Sequence, residues 1–385
     1  MSFSPLGKTV PIPAAPEAWH DAARRRSRAT RIGESCLSDA TAREPVVTVI
    51  VVVHNAGAHL TRCLAALRAQ TVTAFEAIVC DNASTDGAFE AAHSTVTDPR
   101  LRFAAFDTNL GFAAANNRAA AMARGAWLAL LNPDAIPAPD WLEHLLAAAR
   151  RHPHIDAFAS LQLDAGDPNR LDGAGDALSA WGVPWRGGFG QRRTPIAEGE
   201  CFSACGAAAF YRAERFRALG GFAEAFFCFC EDVELGFRHR LAGGRAVLVA
   251  DAVVHHWGGA SAGRRSSFAV YHGARNRLWL FLRCMPGPLL VLLLLPHLAA
   301  TAVLLALATL RGEGGAFLRG LIDAVRRLPA TWAERRRIQT GRQASLAAIA
   351  GALVWSPLAA MRRAPAIRPI DCAAGAPERQ SAART

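Results

Sequence analysis

A short, fully apolar run that ends abruptly at polar residues constrains the fold of this chain more than any other feature. Trp127–Leu131 has the sequence WLALL, and Asn132-Pro133-Asp134 follows at once. A continuous apolar run of this length, ended by turn residues, is typical of a strand buried on both faces of a mainly parallel sheet. Asn132 and Asp134 are therefore expected just past its carboxyl end, where open α/β sheets bind ligands.

Asp134 is the first candidate functional residue. A carboxylate at this edge, next to a proline of fixed φ, is well placed to hold a divalent cation over a phosphate. The alternative is a strand-to-helix turn in which Asp134 is only solvated. This stretch alone does not decide between the two.

Strands and helices are predicted to alternate from residue 46 onward. Apolar runs predict strands over 46–53, 75–80 and 100–106, and apolar residues at helical spacing predict helices over 59–70, 113–124 and 139–151. This alternation predicts a doubly wound α/β sheet with right-handed crossovers. The turn after the first strand is HNAGAH, so the glycine fingerprint of dinucleotide-binding domains and the lysine of a P-loop are both missing there.

The second half of the chain has a less regular pattern. Residues 163–200 are rich in Gly, Asp and Pro and are expected to form a long functional loop or lid. Trp181 and Trp185 lie within it and can either stack on a sugar or pack beneath the loop. Strands are predicted over 201–212 and 245–254, with a helix over 233–241 between them.

Three polar segments contain residues that are candidates for binding or catalysis. Asp81 and Asp86 lie in the segment DNASTDG and can accept hydrogen bonds from a nucleobase or a ribose, or can form an Asx-turn and a helix cap. Glu231-Asp232 follows an aromatic run and begins a helix, so these acids are either capping residues or a general base in a partly dry cleft. His255-His256 offers a cation ligand or a structural histidine.

Composition indicates anionic partners and some contact with lipid. The formal net charge is +11, the pI is near 10.0, 51% of residues are hydrophobic, and mean hydropathy is +0.14. A positive charge of this size fits anionic lipid, phosphate-bearing substrates or nucleic acid. The nine irregularly spaced cysteines, without a secretory signal at the N-terminus, indicate a reducing compartment.

The two ends of the chain are predicted to differ from its centre. Residues 1–43 and 364–385 are expected to be disordered, 44–285 to form the catalytic domain, and 286–363 to form a helical, membrane-associated extension. Residues 288–310 are apolar and interrupted by Pro296, and 344–361 are a second, shorter candidate span.

Eight arginines lie between these two apolar segments. With residues 44–285 in the cytoplasm, a single crossing would place these arginines on the outer side of the membrane, against the positive-inside tendency. An interfacial helix or a proline-bent hairpin, with the arginines facing anionic headgroups on the cytoplasmic side, is therefore favoured. A single-pass spanning helix and a soluble helical cap are the alternatives.

Six segments in this order resemble the signature of family 2 glycosyltransferases with the GT-A fold: VVVHN, VCDNASTDG, NLGFAAANN, LNPDA, FFCFCEDVELGFR and HHWGGAS. NLGFAAANN, together with YHGARNRLWL at 271–280, is similar to the bacterial rhamnosyltransferase-like branch. The resemblance covers about residues 45–285.

The resemblance implies an inverting glycosyltransferase of cell-surface polysaccharide or lipid-linked glycan synthesis. Its donor would be a dTDP- or UDP-sugar, with dTDP-rhamnose suggested, and its acceptor a hydroxyl of a glycan or lipid-linked glycan. It implies a divalent cation, Mn²⁺ or Mg²⁺, a membrane surface as partner, and no nucleic acid. The alternatives are a catalytically inactive GT-A-like protein that binds nucleotide sugars or acts as a scaffold, and a nucleic-acid binder suggested by net charge alone.

The resemblance also implies a role for individual residues. Asp232 corresponds to the catalytic base and Glu231 to its neighbour on the acceptor side. Asp134 corresponds to the last acid of the metal motif and His256 to a metal or diphosphate contact, with a shift to His255 left open. The first position of the acidic metal motif is Asn132, a departure that removes one charge. The implied nucleotide-sugar residues are Asn55, Asp81, Asn82, Ser84, Asp86, Asn109, Gly111, Asn116 and Asn132.

Overall fold

The computed structural model describes residues 45–258 and 266–370. The predicted N-terminal arm, the last fifteen residues of the predicted C-terminal tail and the final three residues of HHWGGAS lie outside these ranges.

The described strands and helices alternate through the first half of the chain, as predicted. The strands are β1 (Val47–Val53), β2 (Phe75–Asp81), β3 (Leu101–Ala105), β4 (Trp127–Leu131), β5 (Ala135–Pro137), β6 (Ala157–Asp164), β7 (Leu171–Ala174), β8 (Asp176–Leu178), β9 (Pro184–Arg186), β10 (Gly199–Cys201), β11 (Ala208–Arg212) and β12 (Ala246–His256). The helices of the sheet domain are α1 (Ala58–Arg68), α2 (Ala88–Thr95), α3 (Gly111–Met122), α4 (Trp141–Arg151), α5 (Ala213–Ala218) and α6 (Glu231–Leu241).

The main sheet has the strand order β10-β12-β6-β11-β4-β1-β2-β3, with β5 paired to β12 and β7 to β6. The pairs β4-β1, β1-β2, β2-β3 and β6-β12 are parallel, and β11 is antiparallel to both of its neighbours. Parallel neighbours end at the same edge, so the segments after β1, β2, β4 and β12 lie along one side of the sheet. This confirms the predicted α/β fold with a mostly parallel sheet.

Alternating side chains of β1 explain the two-sided burial. Val49 and Val51 pack into one hydrophobic cluster with Leu64 of α1. Ile50 points the other way and packs into a second cluster with Ala119 of α3. Both faces of the central strand are therefore covered by helices, which is why its sequence is an unbroken apolar run.

The segment 163–200, expected to be a long functional loop or lid, contains several short strands. Strands β7 to β10 lie within this segment or at its end, and backbone hydrogen bonds join β6 to β7 and β8 to β9. Trp185 is buried and donates to Ala364 O at 3.0 Å, and Trp181 packs against the C-terminal helices, so both rings pack within the protein. The single strand predicted over 201–212 is wrong, because it is divided into β10 and β11.

The C-terminal segment is helical, as predicted. Its helices are α7 (Ser267–Cys284), α8 (Gly287–Leu310), α9 (Gly314–Arg326), α10 (Leu328–Thr340), α11 (Leu346–Ala352) and α12 (Pro357–Met361). In the described part of the chain, α8 is the helix long and apolar enough to cross a membrane, with a mean hydropathy of 2.5 and 22% of its most apolar window buried.

Three expectations about this segment are corrected. Helix α8 continues through Pro296, so it is not a hairpin. The second candidate span, 344–361, is divided into two short helices at Leu353. The tail predicted from 364 is paired with the sheet domain as far as 370, because Glu200 and Arg368 exchange backbone hydrogen bonds of 2.7 and 2.9 Å.

Candidate active site

The loops that follow β1 and β2 are joined by hydrogen bonds between side chains and backbone. Ser84 Oγ accepts from Asn55 N at 3.1 Å, and Asp86 Oδ2 accepts from Gly57 N at 2.7 Å. Asp81 accepts from Ser84 N at 3.1 and 3.2 Å, which is the Asx-type turn considered as an alternative. The structure therefore brings four of the predicted nucleotide-binding residues together in one loop pair.

Asn82 connects this loop pair to the segment before α3. Its amide donates to Asn109 Oδ1 at 3.0 Å, and its Oδ1 accepts from Leu110 N at 2.9 Å. His54 extends the network, because its Nε2 lies 3.2 Å from Asn109 Nδ2. His54 belongs to the first loop, and the sequence had not singled it out.

Gly111 is required where α3 begins. Its φ is +77°, and a Cβ there would lie 2.5 Å from the ring of Phe227. A side chain would therefore meet both backbone strain and a steric clash. Asn116 lies one turn further along and donates to Phe112 O at 2.9 Å within its own helix, so the described contacts do not join it to the loop network.

Asp134, His256 and Asp172 form a line of hydrogen-bonding side chains that we name the His256 group. His256 Nε2 lies 3.3 Å from Asp134 Oδ1, and His256 Nδ1 lies 2.7 Å from Asp172 Oδ2. Residue 256 reaches this position because the end of β12 pairs with Ala135 of β5. Arg186 forms an ion pair with Asp172 on the far side of the imidazole.

The two neighbouring histidines have different surroundings. Burial favours the neutral form of His256, but the hydrogen bonds with Asp134 and Asp172 outweigh this and raise its pKa above the ordinary value. The pKa of His255 is lowered, by burial first and then by the positive charge of Arg193. His256 is thus the histidine beside Asp134.

The His256 group fits a divalent cation. A carboxylate oxygen and an imidazole nitrogen lie side by side, and a second carboxylate holds the other ring nitrogen, which is how protein metal sites commonly orient a histidine ligand. Asn132 lies beside them, with Nδ2 at 3.5 Å from His256 Nε2. Asp134 and His256 would be the ligands, and Asp172 would orient the ring.

A second acidic group surrounds the N-terminus of α6, and we name it the Asp232 group. Its members are Asp176, Cys205, Glu231 and Asp232, and one side-chain atom from each of Asp176, Cys205 and Asp232 lies within 4.8 Å of the others. Asp232 Oδ2 accepts from Gly206 N at 3.0 Å. Among residues 45–258 and 266–370, one buried carboxylate oxygen of Glu231 has no hydrogen-bond partner.

Burial and mutual repulsion favour the protonated forms of the other members of the Asp232 group. The pKa values of Glu231 and Asp176 are raised well above the ordinary range, first by burial and then by the negative charge of Asp232. Burial likewise raises the pKa of Cys205. A metal ligand has to release its proton. At the Asp232 group three side chains with raised pKa values would have to do so, and at the His256 group one, His256, so the Asp232 group is the poorer cation site of the two.

One short segment joins the two groups. Gly206 N donates to Asp232, and Ala207 O accepts from Asn132 N at 2.9 Å. Residues 205–207 precede β11, which pairs with β4 from Leu131. Asp232 and Asn132, which lies two residues before Asp134, thus hydrogen-bond to neighbouring residues of this short segment.

The loop before Asp232 is held by α7. Phe227, Phe229 and Cys230 have positive φ values of 64°, 71° and 65°. Asn276 Nδ2 lies 2.8 Å from the carbonyl oxygens of residues 226, 228 and 229. These bonds compensate for a backbone conformation that non-glycine residues rarely adopt.

Several residues of the site were not predicted from the sequence. Asp172, Asp176 and Arg186 lie in the segment expected to be a loop, where acidic residues at short spacing were the available signal. Asn276 lies in YHGARNRLWL, which was noted as a branch marker without an assigned role.

Comparisons with known proteins agree with this architecture. The family model for glycosyl transferase family 2 matches residues 48–220. The chain is 32% identical over 252 residues to the N-acetylglucosaminyl-diphospho-decaprenol L-rhamnosyltransferase of Mycobacterium tuberculosis, covering 59% of this chain and 81% of that protein. It is 33% identical over 231 residues to the O-antigen biosynthesis protein RfbC of Myxococcus xanthus, covering 58% of this chain but 18% of that protein.

A solved structure supports the fold. TarS from S. aureus superposes with a TM-score of 0.51 at 18% sequence identity, covering 77% of this chain and 52% of that chain. At this identity the likeness shows the fold alone. The sequence relatives carry the family assignment: this chain belongs to glycosyltransferase family 2 and has its GT-A fold.

Proposed function

We propose that the protein is a metal-dependent inverting rhamnosyltransferase that uses a pyrimidine nucleotide sugar, dTDP-rhamnose, and a lipid-linked glycan acceptor. The observation that carries this proposal is the short segment 205–207, to which Asp232 and Asn132, two residues before Asp134, are both hydrogen-bonded. A transfer reaction needs one group for the leaving diphosphate and another for the acceptor proton, and the two acidic groups supply them at one edge of the sheet.

The proposed donor site is the loop network of Asn55, Asp81, Asn82 and Ser84. Carboxylate and amide groups in this network suit the hydrogen-bonding edges of a pyrimidine and a ribose. His256 and Asp134 would hold the divalent cation, and Asp172 would keep the imidazole oriented. When bound, such a cation stabilises the negative charge that develops on a leaving diphosphate.

Asp232 is proposed as the general base. Burial and the negative charge of Asp232 favour the protonated forms of Glu231 and Asp176, so we assign the role of proton acceptor to Asp232. It would take the proton of the acceptor hydroxyl as that oxygen attacks the anomeric carbon from the face opposite the diphosphate, which inverts the configuration. The hydrogen bond from Gly206 N fixes the carboxylate in place.

The donor and acceptor are proposed from the mycobacterial relative, whose name specifies rhamnose and a diphospho-decaprenol acceptor. An acceptor on a lipid agrees with the apolar, solvent-exposed side chains of α8, among them Val291, Leu295 and Leu310, which are 76–84% exposed. We propose that α8 lies in the interface of the cytoplasmic leaflet, with the GT-A domain in the cytoplasm.

Turnover of the full-length chain tests the proposal. The protein would be incubated with dTDP-rhamnose and a polyprenyl-diphospho-N-acetylglucosamine acceptor, with Mn²⁺, Mg²⁺ or a chelator. We expect a rhamnosylated lipid by mass spectrometry, formed only with a cation, and an inverted anomeric centre by NMR. Absence of turnover with every dTDP- and UDP-sugar would contradict the proposal and favour a catalytically inactive nucleotide-sugar-binding protein.

A further inference from the structure

A cavity of about 310 Å³ lies between α10 and the start of α8, away from the sheet edge. We name it the arginine cavity. Its lining residues are Gly287, Trp332, Arg335, Arg336, Gln339 and Arg342. The lining contains three guanidinium groups and no carboxylate, so it presents a concentrated positive charge.

Helix α10 arranges most of this lining on one face. Trp332, Arg335, Arg336 and Gln339 follow one another at intervals of three, one and three residues, which places them on one side of a helix. Arg335 is buried and rigidly held, since Nη1 donates to Leu282 O at 2.7 Å and to Met285 O at 2.5 Å. These partners are neutral carbonyls, so the charge of Arg335 is not neutralised.

The other two arginines are also without acidic partners. In the described ranges 45–258 and 266–370, Arg336 is exposed and forms no ion pair, and Arg342 donates to the carbonyl of Ala344 at 2.8 Å. The nearest acid along the helix, Glu334, is paired with Arg337 at 2.9 Å. An anion entering the cavity would therefore meet arginines that no carboxylate already occupies.

An exposed apolar surface begins beside the cavity. Gly287 is the first residue of α8, whose N-terminal dipole adds further positive potential. One turn further along, Val291, Leu292 and Leu295 are 65–78% exposed. Positive charge directly next to exposed aliphatic side chains is complementary to a molecule with an anionic head and an apolar tail.

We propose that the arginine cavity binds the phosphate group of an anionic membrane phospholipid, whose acyl chains lie along the exposed face of α8. Arginine suits this role because its planar guanidinium can form two parallel hydrogen bonds to phosphate oxygens. The volume of the cavity is sufficient for a headgroup phosphate with part of its glycerol. The inference rests on the membrane association proposed above and adds a specific lipid-binding site to it.

Vesicle co-sedimentation of the full-length chain tests this site. The vesicles would contain phosphatidylcholine alone or phosphatidylcholine with phosphatidic acid, and the variants would be Arg336→Gln and Arg342→Gln. The matched control is Arg311→Gln, which removes an exposed arginine about 36 Å away at the other end of α8. We expect each cavity variant to weaken binding to phosphatidic-acid vesicles at least about tenfold, and the control by less than about threefold.

Several results would overturn the inference. Equal losses of vesicle binding for Arg336→Gln and Arg311→Gln would mean that the protein is attracted to the vesicle surface by its overall charge. Wild-type protein that does not prefer phosphatidic-acid vesicles would mean that the cavity does not recognise phosphate. Inorganic phosphate with a chelator forms the third arm of the experiment. If it binds in an Arg336-dependent manner while vesicle binding is unaffected by the substitution, the cavity serves a soluble anion.

Donor turnover without vesicles separates this inference from the proposed function. Arg336→Gln should retain wild-type turnover, since Arg336 lies outside the active-site network. If the wild-type protein turns over the donor but the cavity variants bind vesicles normally, the lipid site is wrong and the transferase proposal stands. If turnover is absent but vesicle binding depends on Arg336, the transferase proposal is wrong and the lipid site stands.

Discussion

The His256 group and the Asp232 group contain similar acidic residues in opposite electrostatic settings. Asp134 and Asp172 face an imidazole between them, and Arg186 pairs with Asp172 and lies 3.4 Å from His256 Nδ1. Asp176 and Glu231 instead face another carboxylate, Asp232. In the first group the acids lie beside a histidine and an arginine. In the second group burial and repulsion favour the protonated forms of Asp176 and Glu231.

This difference teaches how one sheet edge can serve two kinds of chemistry. Carboxyl groups on both sides of a histidine suit the binding of a cation, and a half-buried carboxyl group beside acids with raised pKa values suits proton transfer. The short segment 205–207 holds the two environments next to each other. Substitutions that change one group and spare the other test whether this division is real.

The largest effect is expected for Asp232→Asn. Loss of the general base should lower transfer at least about 100-fold while the affinity for the nucleotide is unchanged. Steady-state rates and nucleotide titration measure the two quantities, with the exposed Asp251→Asn as control. Near-normal transfer by Asp232→Asn would remove Asp232 as the base.

Asp172→Asn tests the His256 group through a residue that would orient a ligand. An asparagine cannot stabilise the imidazole as a carboxylate does, so cation affinity should fall about 10- to 100-fold. Saturating Mn²⁺ should restore the rate. The measurement is the Mn²⁺ dependence of turnover, and Asp167→Asn, on the β6–β7 connection, is the control. An unchanged Mn²⁺ requirement would contradict the assignment.

Asn276→Ala tests how the Asp232 group is positioned. The substitution removes a side-chain donor from the carbonyl groups of residues 226, 228 and 229, of which residue 226 still accepts from Arg275 Nη2 at 2.9 Å, so the free energy of unfolding should fall by about 1–3 kcal/mol. Chemical denaturation measures this change against Asn169→Ala, an exposed asparagine. Equal stabilities would show that the loop does not depend on α7.

The smallest effect is expected from the pH dependence of stability. Above the ordinary pKa of a glutamate, the unfolded chain releases a proton that folded Glu231 retains, so stability falls as pH rises toward the raised pKa. Glu231→Gln removes this contribution of up to about 1.4 kcal/mol per pH unit. Denaturation at pH 6 and pH 7 should therefore show a weaker pH dependence for Glu231→Gln. Parallel curves would mean that Glu231 is ionised in the folded protein.

The sequence predicted the donor side of the site well, for a physical reason. Strands β1, β2 and β4 are buried on both faces, so their apolar runs are unbroken and the polar residues after them mark the sheet edge. Asn55, Asp81 and Asp134 could be placed there before any coordinates. The functional roles of these residues remain predictions.

The other half of the site could not be predicted in the same way. Strands β7 to β9 have three or four residues each, too few for a periodic pattern, so Asp172 and Asp176 were assigned to a loop. Nothing in the residue types of Phe227 and Phe229 indicates a left-handed backbone. Asn276 acts on that backbone from about fifty residues further along, a relation that only the tertiary fold creates.

The most direct test of this division, cation binding by the His256 group and proton transfer by Asp232, is isothermal titration with the nucleotide diphosphate. It would be performed on Asp134→Asn and on Asp232→Asn, each with and without Mn²⁺. We expect Asp134→Asn to lose the gain in affinity that Mn²⁺ provides and Asp232→Asn to retain it in full. Equal loss in both variants, or retention by Asp134→Asn, would contradict the assignment of cation binding to the His256 group and of proton transfer to Asp232.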